Sequence, residues 1–202
     1  MTDVDARAES VIFHELAGLL SSLWSMAEIV SKRPDHPDRE EFISLLRTET
    51  RKAARTFKDL QNLRALMADN LAERIETVDI AEVLGAADAM GEAESPEGER
   101  STGAAVLADT FVLADLIARL RDLASELGGS ATDEVEADTD AVTLVYGCGP
   151  PENRAELIEG LERGDGRARM LFVMQRIVAR WGAKVRVDET ASVIVSLKRA
   201  GA

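Results

Sequence analysis

Hydrophobic positions in the first third of the chain recur with the period of a helix packed along a seam. Ile12, Leu16, Leu19, Leu23, Met26 and Val30 step by 4, 3, 4, 3 and 4 residues, which keeps their side chains on one stripe of an α-helix. Phe13, Ala17, Leu20, Trp24 and Ala27 repeat those steps one position later. Two adjacent apolar stripes make a face wider than a two-stranded coil needs and suited to a bundle. The remaining stripe, His14, Gly18, Ser21, Ser25 and Glu28, is polar or small, so the period predicts an outward-facing His14.

Two prolines and their aspartates in "KRPDHPDRE" (32–40) predict a break. Beyond it, Phe42, Leu46, Ala53, Phe57, Leu60 and Met67 lie at heptad spacing and predict a second helix over about 38–70, with Arg47, Arg51, Arg55 and Lys58 as a basic stripe. Two long helices joined by a short turn form an antiparallel hairpin. One hairpin cannot cover both of its apolar stripes, so the pattern predicts a second copy closing a four-helix bundle as a C2 homodimer.

From Leu71 the period changes. "ETVDI" (76–80) and "AAVLA" (104–108) read as strands, 81–90 as a helix, and 91–103 as a polar loop. Residues 109–127 are amphipathic and end at Gly128 and Gly129, as helices do. "DEVEAD" and "AVTLVYG" read as strands about a turn at Thr139 and Asp140, "PENRAELIEGLER" as a short helix, 167–181 as a long helix stopped by Gly182, and 183–199 as a closing hairpin. The fold expected is α+β, with a helical hairpin over 1–70 and, over 71–202, an α/β sandwich of helices against a mixed sheet.

Composition narrows the function classes. The 202 residues are 46% apolar but only 4% aromatic, so the core must be built from aliphatic side chains. The net charge is -13, which argues against nucleic acid as a partner. Residues 1–70 carry 10 basic and 12 acidic groups and the remainder 14 and 25, so the hairpin is the surface an acidic partner would choose. The single cysteine, Cys148, allows no internal disulfide and fits a reducing compartment. With no apolar run of about 18 residues and an acidic start, the expectation is a cytoplasmic protein without a membrane segment.

The residues "FHELAGLLSSL" resemble the H-box of bacterial sensor histidine kinases, in which His-Glu-Leu lies on a dimerisation and phosphotransfer hairpin. His14, Glu15 and Leu16 match its core. Leu19 stands where a proline is usual, and Gly18 where Thr or Asn is usual. "ETVDIAEVLGAADAM" and "MQRIVARWGAKVRVDETASVIVSL" resemble the opening and closing segments of that family's ATP-binding domain. The nucleotide motifs between them depart from the family. Arg119-Leu120 and Leu123-Ala124 occupy its two Asn positions, and Leu123 offers no oxygen to Mg²⁺. "GCGPP" places Gly147 where an aspartate recognises adenine and Pro151 where a glycine is usual. Ala168-Arg169-Met170-Leu171 replaces the phosphate loop and its two glycines.

The combination resembles histidine phosphotransferases built like a truncated kinase. It implies that His14 accepts a phosphoryl group from one response-regulator receiver domain and passes it to another, with no cofactor of its own and Mg²⁺ supplied by the receiver. A free imidazole, with a pKa near ~6.5, is mostly neutral and nucleophilic at neutral pH. Glu15 would orient the ring. Gly18, Ser21 and Ser25 would form a flat docking floor, and Arg47, Arg51 and Arg55 a steering surface. Gly18 lacks the polar group that positions water in the family's phosphatases, so weak phosphatase activity is expected. Two other functions fit the same motifs: a pseudokinase adaptor that binds a regulator without phosphotransfer, and a divergent active kinase. His36 is expected in a turn, and Cys148, Trp24 and Trp181 in packing.

Overall fold

The computed structural model describes residues 3–33, 35–69, 73–90, 103–130, 133–164 and 166–201. The chain divides into two compact units, Met1–Leu71 and Ala72–Ala202.

The first unit is the hairpin of α1 (Asp3–Lys32) and α2 (Arg39–Met67). An ion pair of 2.6 Å between Glu9 and Arg64 sets its antiparallel register. The inner stripe of α1 meets α2: Ile12 and Met26 are buried, as are Ala53, Leu60 and Leu63 opposite. Each large aliphatic side chain sealed in this way contributes roughly 1.5–3 kcal/mol. Glu40 and Glu41 in the first turn of α2 and Arg64 in its last complement the helix dipole. His36 is a turn residue: its Nδ1 accepts the Asp38 N–H at 3.2 Å, and its ring meets Phe42 edge-on.

Two expectations for the hairpin need correction. Phe57 is half exposed, and the seam of α2 runs through Thr56 and Asp59, both buried. Phe57 lies about 100° round the helix from Thr56, and the polar residues in the seam hid its register from a reading of apolar positions. Trp24 does not pack within its own chain; it is 76% exposed.

The second unit contains β1 (Glu76–Asp79), α3 (Ile80–Met90), β2 (Ala105–Ala108), α4 (Thr110–Glu126), β3 (Glu134–Ala137), β4 (Ala141–Gly147), α5 (Arg154–Arg163), α6 (Met170–Ala179), β5 (Lys184–Val187) and β6 (Ser192–Lys198). Apart from Gly103, the loop expected at 91–103 lies outside the described residues. The sheet is not mixed. β1 pairs with β2, and β3-β4-β6-β5 form a second sheet, with every pairing antiparallel. An isolated bridge from Val106 to Arg199 links the two. Along β4 and β6, Val142, Leu144, Val193, Val195 and Leu197 are buried, and their alternate neighbours on β4 are half-buried. This alternation marks one face toward the helices.

The helix expected at 167–181 is shorter. Arg167–Arg169 form a 3₁₀ turn and the α-helix begins at Met170. Gly166, at a φ of 68°, turns the chain, and Glu156 accepts both the backbone N–H and the guanidinium of Arg167, which holds the tighter turn. α4 starts at Asp109, whose carboxylate caps Val112 N–H at 3.0 Å and also accepts Arg74 N–H at 2.8 Å. No helix among the described residues is long and apolar enough to cross a membrane.

Candidate functional site

His14 lies in the middle of α1 and is exposed. It follows the buried Ile12 by two residues, about 200° round the helix, and so faces away from α2. Glu15 beside it is half-buried. Gly18, Ser21 and Ser25 are exposed on the stripe that continues from His14. An added Cβ at Gly18 would meet nothing within 4 Å, so packing does not require glycine there. The Ser25 hydroxyl donates back to the Ser21 carbonyl at 3.1 Å, which leaves a low surface of small side chains below the imidazole.

Arg47, Arg51 and Lys58 are exposed and Arg55 is half-buried. They lie nearly opposite the buried line through Ala53, Thr56 and Leu60, on the side of α2 turned away from α1. Within one hairpin the basic stripe and the His14 stripe therefore occupy opposite outer faces. A third face separates them. Phe13, Leu20 and Trp24 on α1 are 58%, 55% and 76% exposed, and Phe57 on α2 is 49% exposed. In antiparallel right-handed helices, residues one position beyond each seam project to the same side, so these four share one apolar flank.

Most positions that align with nucleotide motifs are occupied by packing, while Pro151 is exposed and Arg169 half-buried. Leu123 is buried, and the buried Arg119 reaches Asp115 at 3.8 Å. After β4 the chain folds onto the end of α4: Ser130 N–H bonds the Gly147 carbonyl at 3.0 Å, and the Asn153 amide donates to the carbonyls of Leu127 and Cys148 at 2.9 and 2.8 Å. Gly149 has a φ of 83°, and a Cβ there would collide with the Leu127 carbonyl; the glycine serves a backbone-to-backbone approach. Ala168 and Leu171 are buried. Cys148 is buried too, and burial pushes its thiol up to about 11.

Sequence periodicity missed the strongest polar cluster of the second unit. Arg121, 1% exposed, makes two hydrogen bonds to Asp133 at 2.9 and 2.5 Å and one to Asp88 at 2.8 Å. Burial opposes its charge, but the bonds and charges of the two carboxylates outweigh that, and its pKa is raised. Tyr146 is sealed against the same group, and burial with the nearby Asp133 charge holds its hydroxyl well above the usual range. A second clamp joins Glu73 to Arg180 at 2.9 Å and to the Trp181 indole N–H at 3.1 Å. The only sequence signal for either is a charge on an otherwise apolar helical face.

No family model matches the chain, and no curated protein matches it by sequence. Solved structures do. The histidine kinase AdeS of Acinetobacter baumannii superposes with a TM-score of 0.60 at 15% identity, over 92% of this chain and 96% of that one. Full-length ShkA, solved in complex with AMPPNP, superposes at 0.55 and 16% identity over 96% of this chain, which spans 45% of ShkA. A bacterial phosphotransferase superposes at 0.47 with 15% identity. The AdeS and ShkA matches establish the fold: a helical hairpin followed by an α/β unit, as in a histidine kinase core.

Proposed function

We propose that the chain is a two-component histidine phosphotransferase that relays a phosphoryl group between response-regulator receiver domains through His14, without binding ATP. A ring nitrogen of neutral His14 attacks the phosphorus of a receiver's aspartyl phosphate. The N–P bond forms as the P–O bond to the aspartate breaks, and the aspartate leaves as a carboxylate. Transfer to a second receiver reverses these events. The receiver contributes the Mg²⁺ that spreads the phosphoryl charge. His14 supplies the nucleophile, Glu15 biases the ring, and the small side chains of Gly18, Ser21 and Ser25 let a domain approach. Arg47, Arg51 and Arg55 steer an acidic surface in the encounter.

The observation that carries the proposal is a contrast. The H-box histidine stands on the open face of α1, while Arg119, Leu120, Leu123, Ala124, Ala168 and Leu171, at nucleotide-motif positions, are packed into the core. The exposed flank of Phe13, Leu20, Trp24 and Phe57 supports closure of the bundle by a second copy.

The test is transfer from a phosphorylated receiver to the wild type and to His14→Ala. Acid-labile label is expected on the wild type alone, with the variant at background. If neither takes label while both bind receivers, the chain is an adaptor. Titration with Mg-ATP is expected to give no saturable binding in the micromolar range; saturation there would make the chain a divergent kinase.

A further inference from the structure

The sheet of the second unit has a second face, turned away from the helices, and its charges are ordered. The strand register defines two rows that cross all four strands. One runs Glu134, Val145, Ile194, Arg186; the other runs Glu136, Thr143, Ser196, Lys184. Each begins with a carboxylate on β3, passes two uncharged residues on β4 and β6, and ends with a cation on β5. All four charged residues are exposed, and none makes an ion pair among the described residues. Lys198 on β6 adds a further positive charge opposite Ala141. The part of the chain beyond residue 70 carries a net charge of -11, yet these rows are balanced.

We propose that this face docks onto the same face of a second copy of the chain. A two-fold axis lying between the stacked sheets and parallel to the strands, midway between β4 and β6, turns β3 of one copy over β5 of the other. The rows stay in register. Glu134 then meets the other copy's basic end at Arg186 and Glu136 meets it at Lys184, twice over by symmetry, while between the charges Val145 faces Ile194, itself only 6% exposed, and Thr143 faces Ser196. Sheets stack about 10 Å apart, a gap these side chains span from both sides. A copy of this chain is the occupant because the pattern is its own complement under that rotation. Balanced rows also let two acidic copies approach without the like-charge repulsion that more acidic surfaces would impose. Four short strands cover less than the roughly 1,200 Å² of a stable specific interface, so the contact is weak and concentration-dependent. It is independent of His14.

Zero-length carbodiimide cross-linking of the full-length chain, read by peptide mass spectrometry, tests the proposal. Within one sheet Glu136 and Lys184 are three strand spacings apart, about 14 Å, beyond the reach of a direct amide bond, so a Glu136–Lys184 cross-link reports contact between copies. Its yield should rise with protein concentration. It should fall at least fivefold in Glu134→Lys and in Arg186→Glu, which keep both cross-linking groups; the double variants Glu134→Lys/Glu136→Lys and Lys184→Glu/Arg186→Glu, which lack one of them, are read by mass instead. Each double variant alone carries like charges at both edges and should stay below the wild type in average mass by sedimentation at high concentration. An equimolar mixture of the two should recover association, because their reversed edges are complementary. Absence of the cross-link at millimolar protein, or a mixture no more associated than either variant alone, would overturn the proposal.

Discussion

The hairpin and the α/β unit treat their side chains in opposite ways. The hairpin leaves Phe13, Leu20, Trp24 and Phe57 in solvent and carries its histidine on the surface. The α/β unit draws its unusual residues inward: a fully buried arginine with two aspartates, a sealed tyrosine and a buried cysteine. Apolar surface is stable in water only where another surface covers it, whereas a buried charge survives only with its partners fixed around it. The exposed apolar flank and histidine of the first unit are what the proposed dimerisation and receiver docking call for. The second unit packs Arg119, Leu123, Ala168 and Leu171 inward.

Removing the centre of the closed unit should break this contrast most severely. Arg121→Met leaves Asp133 without its cation in a dry site, and stability should fall by about 3–5 kcal/mol. The two tryptophans separate the units, since Trp24 lies in the hairpin and Trp181 in the α/β unit. Urea unfolding followed by Trp181 fluorescence, in a Trp24→Phe background, should shift to lower denaturant. Labelling of Cys148, slow in the native protein because its thiol is buried and pushed up to about 11 by that burial, should speed up in step. Unchanged unfolding would mean that the cluster contributes nothing net.

Trp24→Glu attacks the other side of the comparison. It should leave Trp181 unfolding unaltered and weaken self-association through the bundle at least tenfold, measured by sedimentation at micromolar protein. A mass indistinguishable from wild type would remove the apolar flank as an interface.

Gly18→Ala should be smaller and of opposite sign. Alanine in a helix interior gains about 0.5–1 kcal/mol over glycine, and the open space at Gly18 means no clash subtracts from it. Thermal unfolding of the hairpin should rise, while a loss of receiver affinity would locate docking at that turn.

The smallest effect expected is at Glu156. Hydrogen bonds from Arg167 hold its carboxyl below the ordinary value of 4.5. The contribution of the pair is therefore present above pH 4.5 and is lost as pH falls through the lowered folded value. The carboxylate is partly exposed, so Glu156→Gln should cost less than about 1 kcal/mol near pH 7, and that cost should disappear once pH falls below the lowered folded value. A cost that persists in acid would assign the effect to packing instead.

Most element types were legible in the sequence because hydrophobic period and turn residues are local. The two hairpin helices, the capped helix after Asp109 and the closing β5–β6 hairpin all appear where the pattern predicts them. The outward side of His14 followed from the same period. Less visible was anything that depends on a distant partner. Thr56 and Asp59 sit in the seam although their polarity argues against it. The start of α6 is set by a contact between Glu156 and Arg167, eleven residues apart.

The sequence by itself determined the helical hairpin, the alternation of strands and helices after it, and the surface position of His14, since each depends on residues within a few turns of one another. Only the tertiary structure decided that every strand pair is antiparallel, that Arg121 is the buried hub of the second unit, and that the His14 and arginine stripes face opposite ways. Strand direction, charge burial and the facing of two helices are set when separated segments dock. The buried charge and the facing of the two helices draw on groups 12 to more than 50 residues apart, such as Arg121 with Asp133 and Glu9 with Arg64, which no local pattern encodes.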